Sequence, residues 1–87
     1  MADRSYRIGA DVLAAHLEGE AVLLDFGTKR YYRLNATGAA IWKALEQQLE
    51  PAAIVDSLVE QFDVDATTAR PEVDRLLADL HAQGLLA

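Results

Sequence analysis

The hydrophobic period of this chain changes once, at Leu34–Asn35. Before that point apolar residues sit in short blocks of β-type composition. After it they recur every three or four positions to the C-terminus. Strands first and helices afterwards make a small α+β domain. With 87 residues there is room for one such domain, which buries only about 60–65% of its unfolded surface. A cleft between two lobes is excluded.

Residues 1–5 read as a flexible tail, and residues 6–87 as the domain. Tyr6-Arg7-Ile8 alternates weakly and reads as a short strand that Gly9 ends. Asp11 to Glu18 reads as one helical turn or an ordered loop, with Val12, Leu13 and Leu17 needing cover. Glu20–Asp25 and Arg30–Leu34 have strand composition. Between them lies Phe26-Gly27-Thr28-Lys29, and Gly27 at the first central position suits a two-residue type II′ turn. That hairpin pairs Leu24 with Tyr31 and Val22 with Arg33. Val22, Leu24, Phe26 and Tyr31 then line one face, and Leu23, Tyr32 and Leu34 the other. With a two-residue turn, Tyr31 and Arg33 bond back to the preceding strand, while Arg30, Tyr32 and Leu34 face the open edge.

Asn35 is a good N-cap for a first helix over Thr37–Gln48, with Ile41, Leu45 and Leu49 at spacing four and Trp42 widening the stripe. Glu50-Pro51 opens a second helix, because Pro is at home in a first turn. Ile54, Leu58 and Phe62 face inward, and Asp63-Val64-Asp65 ends it. The third helix reads as a loose turn from Asp65 and a regular helix from Thr68 to Gln83, which keeps Pro71 near its start. Val73, Leu76, Leu77 and Leu80 form its apolar face, and Gly84 takes the C′ position. Helix–turn–helix geometry joined to a hairpin is the winged-helix arrangement, here with the strands leading.

The chemistry a catalyst needs is sparse. There is no cysteine, so disulfides, thiolate metal sites and cysteine nucleophiles are excluded. His16 and His81 stand alone, without metal-ligand spacing. Asp74 and Asp79 are five apart and do not stack on a helix face. No glycine-rich phosphate loop or nucleophile elbow occurs. No catalytic residue, metal or cofactor is expected. Net charge is −6, the reverse of what phosphate neutralisation requires, so no nucleic-acid partner is expected. No apolar run is long enough to cross a bilayer, and no membrane partner is expected. The N-terminal residues lack a signal peptide's apolar stretch, and the expected location is cytoplasmic.

Two features remain. Lys29, Arg30 and Arg33 lie on or beside one strand, either as edge protection against aggregation or as a basic strip for an acidic peptide. Tyr31-Tyr32 lies on the same strand. An open strand edge beside the apolar face of a helix is a ready groove for an extended peptide.

Leu23-Leu24-Asp25, Gly27, then Tyr31-Tyr32-x-Leu34-Asn35-x-Thr37-Gly38-x-x-Ile41-Trp42, followed by Glu72-Val73-x-x-Leu76-Leu77-x-x-Leu80 and Gly84-Leu85-Leu86, resembles the PqqD-like proteins over about residues 6–87. The resemblance implies a winged helix-turn-helix with a short three-stranded antiparallel sheet followed by three helices. It implies recognition of the leader of a ribosomally made precursor peptide, without chemistry. The leader adds as a strand beside the third strand, packed against the third helix. In that reading Arg30, Tyr31, Tyr32, Arg33 and Leu34 supply strand pairing and side-chain contacts. Val73, Leu77 and Leu80 form the apolar wall, and Asp74 and Arg33 the rim charges. The chain looks most like the discrete recognition proteins of lasso-peptide biosynthesis, whose partner is a leader peptidase or other modifying enzyme. The alternatives are a PqqD-like carrier for a radical enzyme of quinone-cofactor biosynthesis, and a winged-helix transcription factor.

Overall fold

Six elements follow one another in a computed structural model that describes residues 6–86: β1 (Val12–Leu17), β2 (Glu20–Asp25), β3 (Arg30–Leu34), α1 (Ala36–Glu46), α2 (Pro51–Phe62) and α3 (Ala66–Ala82). The expected tail, residues 1–5, lies outside the described residues. The strands form one antiparallel sheet in the order β1-β2-β3.

The first strand differs from the sequence reading. Asp11–Glu18 is not a helical turn or loop; its centre is β1, paired with β2 from Val12↔Asp25 to Leu17↔Glu20. Tyr6–Ile8 contributes only an isolated bridge, Ile8↔Leu86, tying the two ends of the domain together. Val12–Leu17 has only three apolar residues larger than Ala, and β-propensity is weak when a strand's state depends on its neighbour.

The β2–β3 register is the expected one, with Leu24↔Tyr31 and Val22↔Arg33, but the turn is not type II′. Asp25↔Arg30 is the last pair, which leaves four loop residues. The Lys29 N–H donates to the Asp25 carbonyl at 2.8 Å, and Lys29, not Gly27, takes positive φ, at 64°. The buried Asp25 carboxylate accepts from the Gly27 N–H at 2.8 Å and the Thr28 N–H at 3.3 Å. An acidic side chain two residues upstream thus stabilises the loop as an Asx-turn, so glycine's left-handed freedom is not required at residue 27.

Backbone parity follows from one hydrogen bond. The Phe26 N–H donates to the Asp11 carbonyl at 2.9 Å, on the β1 side. Successive residues of a strand point their polar groups to opposite edges, so Asp25, Leu23 and Ala21 face β3. Their partners Arg30, Tyr32 and Leu34 therefore bond back to β2, and Tyr31 and Arg33 turn their N–H and C=O groups to the open edge. This reverses the assignment that a two-residue turn would produce.

The helices cover one face of the sheet. Asn35 caps α1, its side chain accepting from the Gly38 N–H at 2.9 Å. Pro51 occupies the first turn of α2, and Asp63 leaves it in the left-handed region at φ 53°. The Leu85 N–H reaches the Leu80 carbonyl and the Gly84 N–H the His81 carbonyl, a Schellman motif around Gly84 at φ 79°. The core is built from Leu23, Ile41, Trp42, Ile54, Leu58, Val73, Leu77 and Leu80, all essentially inaccessible. α3 departs from expectation at its start. It is continuous from Ala66, with Asp65 as extended N-cap, so Pro71 lies inside the helix and not in its first turn.

Candidate groove between the third strand and the third helix

Tyr32 and Leu34 project from β3 to the helix side of the sheet, because their partners Leu23 and Ala21 are buried there. Between them and α3 runs a groove of about 520 Å³. The strand side is Tyr32, Arg33 and Leu34. The turn into α1 contributes Asn35, Thr37, Gly38 and Ile41. Gly38 lets the helix start pack closely on Leu34: a Cβ on it would sit 3.2 Å from both Cβ and Cδ2 of Leu34, which would have to give way.

The helix side is Glu72, Arg75, Leu76 and Asp79. Sequence reasoning placed Val73, Leu77 and Leu80 on this wall. The structure puts all three in the core, each no more than 1% exposed. The reason is helical phase. Ala69, Val73, Leu77 and Leu80 are the buried stripe of α3. The set one position earlier, 72, 76 and 79, repeats the same spacing on the flank that looks toward β3. That offset is visible in the sequence once the core stripe is identified. Asp74 lies outside the groove, exposed and paired with Arg70 at 3.2 Å.

Polar groups in the groove are mostly engaged. The Tyr32 hydroxyl donates to the Asp79 carboxylate, joining strand to helix across the groove. That bond, reinforced by burial and by the Asp79 charge, raises the Tyr32 pKa above its ordinary value, with Arg75 opposing. Arg75 pairs with Glu72 at 3.3 Å and Arg33 with Glu20 at 3.4 Å. Arg30 and Tyr31 line a smaller recess beyond Tyr32, beside Gln83 and Leu85. Among the described residues no cluster of three His, Cys, Asp or Glu has a metal-binding arrangement, and no helix is long and apolar enough to cross a membrane. One open strand edge, an apolar floor of Leu34, Ile41 and Leu76 and a polar rim fit an extended peptide.

The other face of the sheet is uncovered. Leu13, Leu24 and Phe26 are exposed there, and Tyr31 is 71% exposed. The sequence pattern groups Leu24, Phe26 and Tyr31 on this face; Leu13 joins them because β1 pairs it with Leu24.

The family model described as coenzyme PQQ synthesis protein D (PqqD) matches residues 20–86. Two solved structures are similar to this chain. "TbiB1 in Complex with the TbiA(beta) Leader Peptide" is 35% identical with a TM-score of 0.86, over 92% of this chain and 93% of that one. "Lasso peptide synthetase B1 complexed with the leader peptide" is 26% identical with a TM-score of 0.85, over 97% and 99%. Nothing among the curated proteins matches.

Proposed function

This chain belongs to the PqqD family, and on that premise we propose that it captures the leader segment of a ribosomally synthesised precursor peptide and presents it to a modifying enzyme. The enzyme in this reading is the leader peptidase or cyclase of lasso-peptide biosynthesis. The observation that carries the proposal is the open edge of β3 lying beside the groove against α3. Tyr31 and Arg33 each offer an N–H and a C=O to an incoming strand. Alternate side chains of that strand then fall on Leu34, Ile41 and Leu76. The two similar structures are both complexes with leader peptides, which supports leader binding by this chain.

The protein acts by binding alone. Its groove holds an engaged Tyr–Asp pair and the Arg75–Glu72 ion pair, with no nucleophile beside a base. Presentation calls for a surface that the captured strand leaves free. The uncovered apolar face around Leu13, Leu24 and Phe26 is continuous with the β3 edge and suits the enzyme. The acidic balance of the chain and of α3 disfavours the transcription-factor alternative.

The test is calorimetric titration of the purified chain with a lasso precursor peptide, its leader and core halves offered separately. Binding to the leader half alone is expected, and the peptide's mass should stay unchanged on incubation. Binding to the core half only, or a mass change that needs this protein alone, overturns the proposal.

A further inference from the structure

The chain carries a net charge of −6, with only eight Lys and Arg. Three of the eight, Lys29, Arg30 and Arg33, fall within five residues at the β3 edge. Lys29 and Arg30 make no ion pair among the described residues. Arg33 reaches Glu20 at 3.4 Å, with side chains 72% and 55% exposed, so solvent screens that pair. The acids of the groove do not neutralise the strip, since Glu72 pairs with Arg75 and Asp79 accepts from Tyr32. A cationic edge on an acidic protein therefore meets whatever strand pairs with β3.

The pleat fixes where such a strand feels each charge. Tyr32 and Leu34 point to the groove, and Arg33 points to the outer face between them. An added strand places its residues opposite Leu34 and Tyr32 in the groove, against Ile41 and Leu76. Its residue opposite Arg33 lies between those two and faces outward. This holds whether the strand runs parallel or antiparallel to β3. Opposite charges directly across two strands attract and like charges repel. The guanidinium has five donors and can hold Glu20 and a second carboxylate together.

We infer that the segment captured at β3 is patterned apolar–acidic–apolar, its Asp or Glu lying opposite Arg33 on the outer face. The inference rests on the strand-addition reading above. It makes Arg33 a specificity-determining residue. The flanking, inward positions meet Leu34, Ile41 and Leu76, which suit apolar side chains.

The test is selection of a displayed random peptide library on the immobilised full chain at physiological ionic strength, followed by titration of the best peptide. Enriched peptides should carry Asp or Glu between two apolar residues, and selection on Arg33→Glu should replace that acid with Lys or Arg. Swapping the acid for Lys in the best peptide should weaken binding by about tenfold, and Arg33→Glu should restore it. Arg33→Gln, judged folded by circular dichroism, should lose the preference without reversing it. Alternating apolar peptides with no charge preference at the middle position, or a preference unchanged by Arg33→Glu, overturn this inference and leave strand capture standing. A library that yields no alternating peptide overturns strand capture itself, and this inference with it.

Discussion

Tyr32 joins strand to helix by a side chain, so it sets the width of the groove as well as lining it. Its hydroxyl donates to Asp79, and its pKa is raised chiefly by that bond. A raised folded-state pKa means that the neutral phenol is favoured by folding. The stabilisation is fully present below the unfolded value near 10 and is lost as pH rises through the folded value. The contribution of Tyr32 to stability should therefore be present and independent of pH near neutrality, and be lost in strong alkali. Tyr32→Phe should flatten that alkaline fall in a pH series of denaturant melts, and should weaken leader binding by leaving Asp79 without its donor. On α3, adjacent leucines part company. Leu77 is core, and Leu77→Ala should cost about 2–5 kcal/mol of stability. Leu76 is half-buried and lines the groove, so Leu76→Asp should abolish leader binding while circular dichroism stays native. Unfolding of Leu76→Asp, or full binding by it, would place the apolar floor elsewhere.

Strand β3 and helix α3 each carry a proline prediction. Tyr31 and Arg33 face the open edge and Tyr32 faces β2, so proline effects should alternate. Tyr31→Pro and Arg33→Pro should weaken leader binding well beyond the matching Ala variants, because only proline removes the N–H. Tyr32→Pro should lower the melting temperature, since it removes a bond to β2. Equal losses of binding and stability at all three positions would count against strand addition at this edge. In α3, Pro71 is the sixth residue and cannot donate to the Thr67 carbonyl. It is exposed and does not itself line the groove. Pro71→Ala should raise stability, by up to about 3 kcal/mol, with unchanged leader affinity. A loss of affinity in Pro71→Ala would show that the proline shapes the groove wall.

On the proposed function the whole molecule divides its surfaces between two partners. Helices cover one face of the sheet, the groove lies at the β3 edge, and the outer face remains apolar and exposed. Leu24→Glu and Phe26→Glu alter only that outer face. They should leave leader affinity within about twofold while sharply slowing leader removal by the partner peptidase in a reconstituted assay. Unchanged processing would mean that the enzyme docks elsewhere.

Features built from a few neighbouring residues were legible in the sequence. The Asn35 cap, Pro51 in its first turn, the Schellman motif at Gly84 and the apolar periodicity of α3 depend on hydrogen bonds and spacing over at most a few turns. The β2–β3 register was legible too, because two- and four-residue turns centred between Gly27 and Thr28 pair the same residues. What those turns do not share is parity. The four-residue loop held by Asp25 and the docking of β1 on β2 decide that Tyr31 and Arg33 face the open edge. The strand state of Val12–Leu17 was likewise out of reach, since its weak composition becomes a strand only through pairing with β2. The groove wall waited on tertiary structure for a similar reason. Which flank of the α3 stripe looks toward β3 depends on how the helix lies across the sheet, and that is set by its packing on α1 and α2 in the core that Trp42, Ile54 and Leu58 share with it.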